Sequence, residues 1–105
     1  MTQNDKTNRQ LVLAERPKGA PTKDTLDLVE RKIPHAAEGQ MLLRTEYLSL
    51  DPYMRGRMSD AKSYADPVQI GCVMVGGTVA QVVTSHVDGF APGDFVLSFN
   101  GWQDY

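Results

Sequence analysis

The sequence predicts a mainly β domain folded as a small barrel. Three observations predict it: five short apolar runs of strand length, turn residues punctuating every gap between them, and one helix-start signal in 105 residues. A chain of this length buries roughly 65% of the surface it exposes when unfolded, which suffices for one core without disulfide or metal staples. One domain is therefore expected.

Residues 1–9, MTQNDKTNR, are polar and without period, and read as a flexible N-terminal arm before a domain spanning 10–105. The first strand is QLVLA. It ends at ERPKGAPTKD, where Pro17, Gly19 and Pro21 break both helix and ladder. TLDLVERK follows as a second strand, with Leu26, Leu28 and Glu30 alternating against Asp27 and Val29, and IPHAAEGQ turns it. MLLRTEYLSL, residues 41–50, has no helical stripe and reads as a strand buried at both ends. Asp51 and Pro52 come next, an N-cap type before a residue preset for the first helical position, with Met54 and Met58 four apart. A short helical turn is predicted there. VMVGGTVAQVV, residues 73–83, is valine-rich and carries Gly76 and Gly77, which predict a bulge or sharp bend. The last strand holds Phe95, Leu97 and Phe99 behind the turn Pro92, Gly93, Asp94.

Composition narrows the function classes. Eleven Lys and Arg against thirteen Asp and Glu, with no single-sign block, argue against a nucleic-acid partner. No apolar run approaches the roughly 20 residues that span a bilayer, and the N-terminal stretch has no signal-peptide core. A cytoplasmic location is expected. Cys72 has no companion for a disulfide or a CxxC cage, and at the edge of a valine-rich strand it reads as a buried, inert thiol. His35 and His86 lack a second ligand at helical or hairpin spacing, so both read as surface loop residues and no metal is expected. Gly71 and Gly76 have the step of a phosphate loop, but Gly77 and Thr78 stand where Lys and Ser or Thr are needed, and no GxGxxG occurs.

LSLDPYMRGRMSD with Tyr64 is the informative constellation. It places two phenols, Tyr53 and Tyr64, and two guanidiniums, Arg55 and Arg57, around a short turn leaving a strand. A neutral phenol can donate to an oxygen that gains negative charge, and arginine can hold phosphate or carboxylate. On spacing alone, an ordinary surface rim with Asp51 capping the turn is the better account of the same residues.

LSLDPYMRGRMSD, GCVMVGGTV, FAPGDFV and GWQDY together resemble, from about residue 9 onward, the N-terminal portion of the zinc-independent medium-chain dehydrogenase/reductases. The branch is that of prostaglandin and leukotriene reductases, alkenal double-bond reductases and bacterial curcumin reductases. The resemblance implies a GroES-like, partly open β-barrel without the Rossmann domain of the parent family. Where zinc-bearing relatives place a Cys and a His-Glu pair, this chain has Leu48, Cys72 and Val73, which cannot converge as zinc ligands.

What the resemblance implies for chemistry is NADPH-dependent reduction of the C=C bond of α,β-unsaturated ketones or aldehydes, with the cofactor held mainly by the absent Rossmann domain. Tyr64 and Tyr53 are then the catalytic candidates, each either a donor to the substrate carbonyl or a wall of the pocket. Tyr53, Tyr64 and Arg55 line the substrate side; Asp51, Pro52, Tyr53 and Arg55 lie beside the cofactor, Arg55 being either a cofactor-side or a structural contact. The parent is expected to be a homodimer. The chain stops at Tyr105, which implies a truncated piece of a longer enzyme, inactive alone. The other reading is a non-catalytic GroES-like barrel that assembles or binds a partner, although the mobile glycine-rich loop of such ring subunits is not evident.

Overall fold

The computed structural model describes residues 6–61 and 66–105. Five strands and one short helix follow in the order β1 (Asn8–Leu13), β2 (Leu26–Arg31), β3 (Met41–Leu48), α1 (Tyr53–Arg57), β4 (Thr78–Ser85) and β5 (Phe95–Ser98). The mainly β expectation holds, and the strands form two antiparallel sheets, β1-β2 and β3-β4-β5.

The two sheets are joined by irregular backbone. Asp104 N–H donates to the Arg9 carbonyl (3.0 Å), Leu11 N–H to the Trp102 carbonyl (2.9 Å) and Thr45 N–H to the Asp104 carbonyl (2.7 Å), so residues 102–104 thread between β1 and β3. The stretch before β4 lies on the same edge of β1: Leu13 N–H donates to the Cys72 carbonyl and Met74 N–H to the Leu11 carbonyl, each at 3.0 Å. Among the described residues no ladder joins β2 to β5, so the barrel is open rather than closed.

Several expectations shift in detail. The first strand begins at Asn8 rather than Gln10, because the Asn8 side chain, 3% exposed, accepts from the Tyr105 N–H at 3.0 Å and donates to the Gln103 side chain at 3.0 Å. The valine-rich run enters its ladder only at Thr78; Val73 makes a single bridge to Val12, and residues 74–76 bond sideways to β1 and to the C-terminal segment. The irregularities of register fall between Leu42 and Leu43 and between Thr45 and Tyr47 of β3, not at the glycines. No β3 residue is fully buried, and Leu50 beyond it is 71% exposed, so the strand is not buried at its ends. Cys72 is exposed, since its carbonyl, not its side chain, faces β1.

The core lies beneath α1. Leu13 and Met74, both 0% exposed, pack with Met54, Met58 and Val68, and Leu26, Tyr53, Val75 and Trp102 close around them. Met54 and Met58 are four apart, so one side of the turn is apolar and inserted while Arg55 and Arg57 point elsewhere.

Candidate functional site

The strand-to-helix corner at residues 48–58 carries the candidate site. Ser49 N–H donates to the Gly77 carbonyl (2.9 Å), fixing where the chain leaves β3 beside the start of β4. The helix is short, and its N-cap position is Pro52 at φ −59°, with no side-chain cap. Asp51 therefore does not cap the turn as its type suggested. Its carboxylate instead accepts from the Ser49 hydroxyl at 2.7 Å, while its backbone carbonyl accepts from Met54 N–H at 3.1 Å.

Gly76 sits directly under this corner. A Cβ there would come 2.8 Å from Leu48 Cδ1, 3.1 Å from Met54 Cε and 3.1 Å from Trp102 Cδ1. The glycine is needed for close approach, not for a left-handed backbone, and it lets the C-terminal segment press against α1. Gly101 supplies the other kind of glycine: φ is +79°, and its N–H donates to the Gly76 carbonyl at 3.1 Å.

Tyr53 is half-buried, its ring packed against the core cluster from the first position of α1. Asp51 and Pro52 are exposed beside it. Arg55 turns back toward the loop after β1, donating from Nε to the Gly19 carbonyl (2.9 Å) and from Nη2 to the Pro17 carbonyl (3.0 Å). Arg57 donates from Nε to the Asp66 carbonyl. Thus Asp51, Pro52, Tyr53 and Arg55 share one turn, with Arg55 engaged by backbone. Tyr64, the other candidate donor, lies outside the described residues.

Three concavities surround the corner. A groove of about 350 Å³ runs over Tyr47, Thr78, Val79 and Leu97; one of about 340 Å³ lies under the loop at Arg16–Thr25; and one of about 370 Å³ lies between the sheets against Leu11, Thr45, Leu48 and Trp102. Tyr53 and Arg55 line none of these three.

Trp102 and Thr45 escaped the sequence reading. The Trp102 Nε1 and Thr45 Oγ1 atoms are buried without a hydrogen-bond partner at the third concavity. The only sequence signal was the aromatic in GWQDY, whose partners lie far away along the chain. Among the described residues, no group of three or more His, Cys, Asp and Glu side chains comes together to hold a metal ion.

Residues 9–105 match the family model described as the N-terminal domain of oxidoreductase. The chain belongs to this family. It is 57% identical over 105 residues to the NADPH-dependent curcumin reductase of Escherichia coli, covering all of this chain and 30% of that protein. It is 31% identical to the 2-alkenal reductase (NADP(+)-dependent) of Nicotiana tabacum, covering 94% of this chain and 30% of that one. The crystal structure of CurA from Vibrio vulnificus superposes with a TM-score of 0.91 at 64% identity, over 93% of this chain and 29% of that one. Its complex with NADPH superposes with a TM-score of 0.89 at 62% identity, over 91% and 28%. The open, mainly β arrangement is thus that of the curcumin reductase N-terminal domain, and the resemblance seen in the DPYMRGRM block is to true relatives. The chain spans about 30% of the length of these relatives.

Proposed function

We propose that these residues form the substrate-side domain of an NADPH-dependent oxidoreductase that reduces the C=C bond of α,β-unsaturated ketones and aldehydes. The observation that carries it is 57% identity, across the whole chain, to a curcumin reductase, with the DPYMR block folded as a short helical turn that begins at Tyr53. NADPH, when bound, supplies hydride to the β-carbon, leaving an enolate whose oxygen carries the charge.

What this chain supplies is polarisation and shape. The exposed Asp51 and Pro52 and the half-buried Tyr53 ring leave a surface against which a nicotinamide ring fits, whereas the chain has no GxGxxG to hold the pyrophosphate. Tyr64 and Tyr53 donate hydrogen bonds to the carbonyl oxygen, stronger to the enolate than to the ketone, and so favour the transition state over the substrate. The α-carbon then takes a proton from solvent water, and the carbonyl is restored. A homodimeric whole protein in the cytoplasm accompanies this reading; among the described residues, no helix is long and apolar enough to cross a membrane.

The test is NADPH oxidation by the full-length protein containing these residues, with curcumin and a 2-alkenal as substrates. Turnover is expected, with Tyr64→Phe and Tyr53→Phe each lowering kcat by about 100- to 1000-fold, the range for loss of an oxyanion donor. The 105-residue chain alone should show none. Absence of turnover by the full-length protein, or undiminished kcat in both variants, overturns the reading.

A further inference from the structure

We propose that Arg55 is a positioning residue rather than a ligand for the dinucleotide: with Arg16 it forms a reciprocal clamp that locks the loop at residues 15–21 onto α1 and so fixes Tyr53. This deepens the reading of the site given above and rests on it for its catalytic part.

The clamp is seen from both sides. Arg55, on α1, donates through Nε to the Gly19 carbonyl at 2.9 Å and through Nη2 to the Pro17 carbonyl at 3.0 Å. Arg16, on the loop, donates through Nη1 to the Met58 carbonyl at the C-cap of α1, at 2.9 Å. Each element thus holds the other's backbone with a guanidinium. The fork geometry explains why arginine serves here: Nε and Nη2 lie on one edge and reach two carbonyls two residues apart, which a lysine ammonium cannot do with the same fixed orientation.

The loop needs such support. Pro17 and Pro21 remove two backbone donors, and Gly19 has φ +79°, so this stretch forms no ladder and its carbonyls must find partners elsewhere. Gly19 has nothing within 4 Å of where a Cβ would stand, so its role is backbone direction, aiming its carbonyl at Arg55. α1 needs support as well. It has five residues, no side-chain cap and i to i+3 bonds at both ends, with Met54 and Met58 anchoring only the inner side. Arg57 adds a third brace, donating to the Asp66 carbonyl, while Val68 N–H donates to the Arg57 carbonyl at 2.8 Å. For Arg55 to bind a phosphate along the same Nε–Nη2 edge it would have to release both carbonyls, and with them the loop.

Lys18 and Lys23, both exposed, make the loop readable by trypsin, whereas the Arg16–Pro17 bond resists cleavage. Limited trypsin digestion of the full-length protein is compared for unsubstituted, Arg55→Met and Arg16→Met forms, with NADPH KM and kcat measured on the same samples. Loss of the clamp should speed cleavage after Lys18 and Lys23 about tenfold in both variants, the size expected for losing one or two hydrogen bonds. In Arg55→Met kcat should fall while KM for NADPH stays within about twofold. Arg55→Lys should restore little of the protection. Unchanged cleavage in either variant overturns the clamp. A raised NADPH KM in Arg55→Met with cleavage unchanged assigns Arg55 to the cofactor and overturns it too. If the unsubstituted protein turns over no enone, the enzymatic reading fails by itself, and the cleavage rates still decide whether the clamp exists.

Discussion

Alanine at Gly76 and alanine at Gly56 should move stability in opposite directions. At Gly76 a methyl group would meet Leu48 Cδ1 at 2.8 Å and both Met54 Cε and Trp102 Cδ1 at 3.1 Å. Leu48 and Met54 end in flexible groups that can rotate away, but Met54 is only 4% exposed and the indole is rigid, so relief must come from a shift of the corner itself. Overpacking of this kind costs about 1–3 kcal/mol. At Gly56, inside α1, nothing lies within 4 Å of the same methyl and φ is not positive, so Gly56→Ala should stabilise by about 0.5–1 kcal/mol through helix propensity. For a domain of this size 1 kcal/mol moves Tm by roughly 4–8 °C. Gly76→Ala should therefore lower Tm by at least about 4 °C and Gly56→Ala raise it by about 2–8 °C. Thermal unfolding followed by tryptophan fluorescence, with Trp102 as the sole reporter, checks both. Equal Tm for Gly76→Ala and the unsubstituted chain would show that the corner has slack, and the close-packing account would fail.

Other outcomes follow from single features. Cys72 is exposed, so it should react fully with an aromatic disulfide reagent without denaturant; reaction only after unfolding would restore the buried thiol expected from its valine-rich surroundings. Leu97 is 87% exposed beside Val79 and Tyr47 on the outer face of β3-β4-β5, so Leu97→Lys should cut binding of a hydrophobic fluorescent dye at least in half, a result that unaltered fluorescence would contradict. The hydrogen bonds from Arg9 to Asp104 raise the guanidinium's pKa above its already high ordinary value. A raised pKa stabilises below the ordinary value and fades only as pH climbs past it. The stability difference between Arg9→Ala and the unsubstituted chain should accordingly be flat from pH 6 to about pH 10, and urea unfolding across that range would expose any slope.

Strands announced themselves where a local pattern sufficed. The runs at Leu26–Arg31, Met41–Leu48 and Phe95–Ser98 alternate over their own length and are bounded by Gly or Pro, so neighbours along the chain carry the signal. Residues 101–105 carry no such signal. They are held by β1, more than 90 positions away, through Arg9, Gln10 and Asn8, and a pairing of that reach leaves no trace in periodicity. Val73 to Gly77 failed for the same reason: Met74 N–H answers Leu11 of β1, and the Met74, Gly76 and Gly77 carbonyls answer Trp102, Gly101 and Ser49 rather than a hairpin partner. At the candidate site, the helical turn was legible from Asp51, Pro52 and the methionine spacing. The partners of Arg55 were not, because backbone carbonyls are present at every residue and only the fold selects which two face the guanidinium.

These contacts explain how so short a helix can hold Tyr53 in a fixed place. Met54 and Met58 fix α1 from below through the core, Trp102 of the C-terminal segment closes on it over Gly76, and Arg55 and Arg16 tie it to the loop after β1. Residues from three separated stretches thus determine where Tyr53 stands, although none of them need touch the substrate. If Tyr53 were surface decoration, substitutions at Gly76 and Arg55 would alter stability and loop protection yet leave kcat proportional to the folded fraction. If its placement matters to the chemistry, both should lower kcat per folded molecule, with the NADPH KM little changed, because a hydrogen bond to a developing enolate loses most of its value when the donor is displaced by a fraction of an ångström.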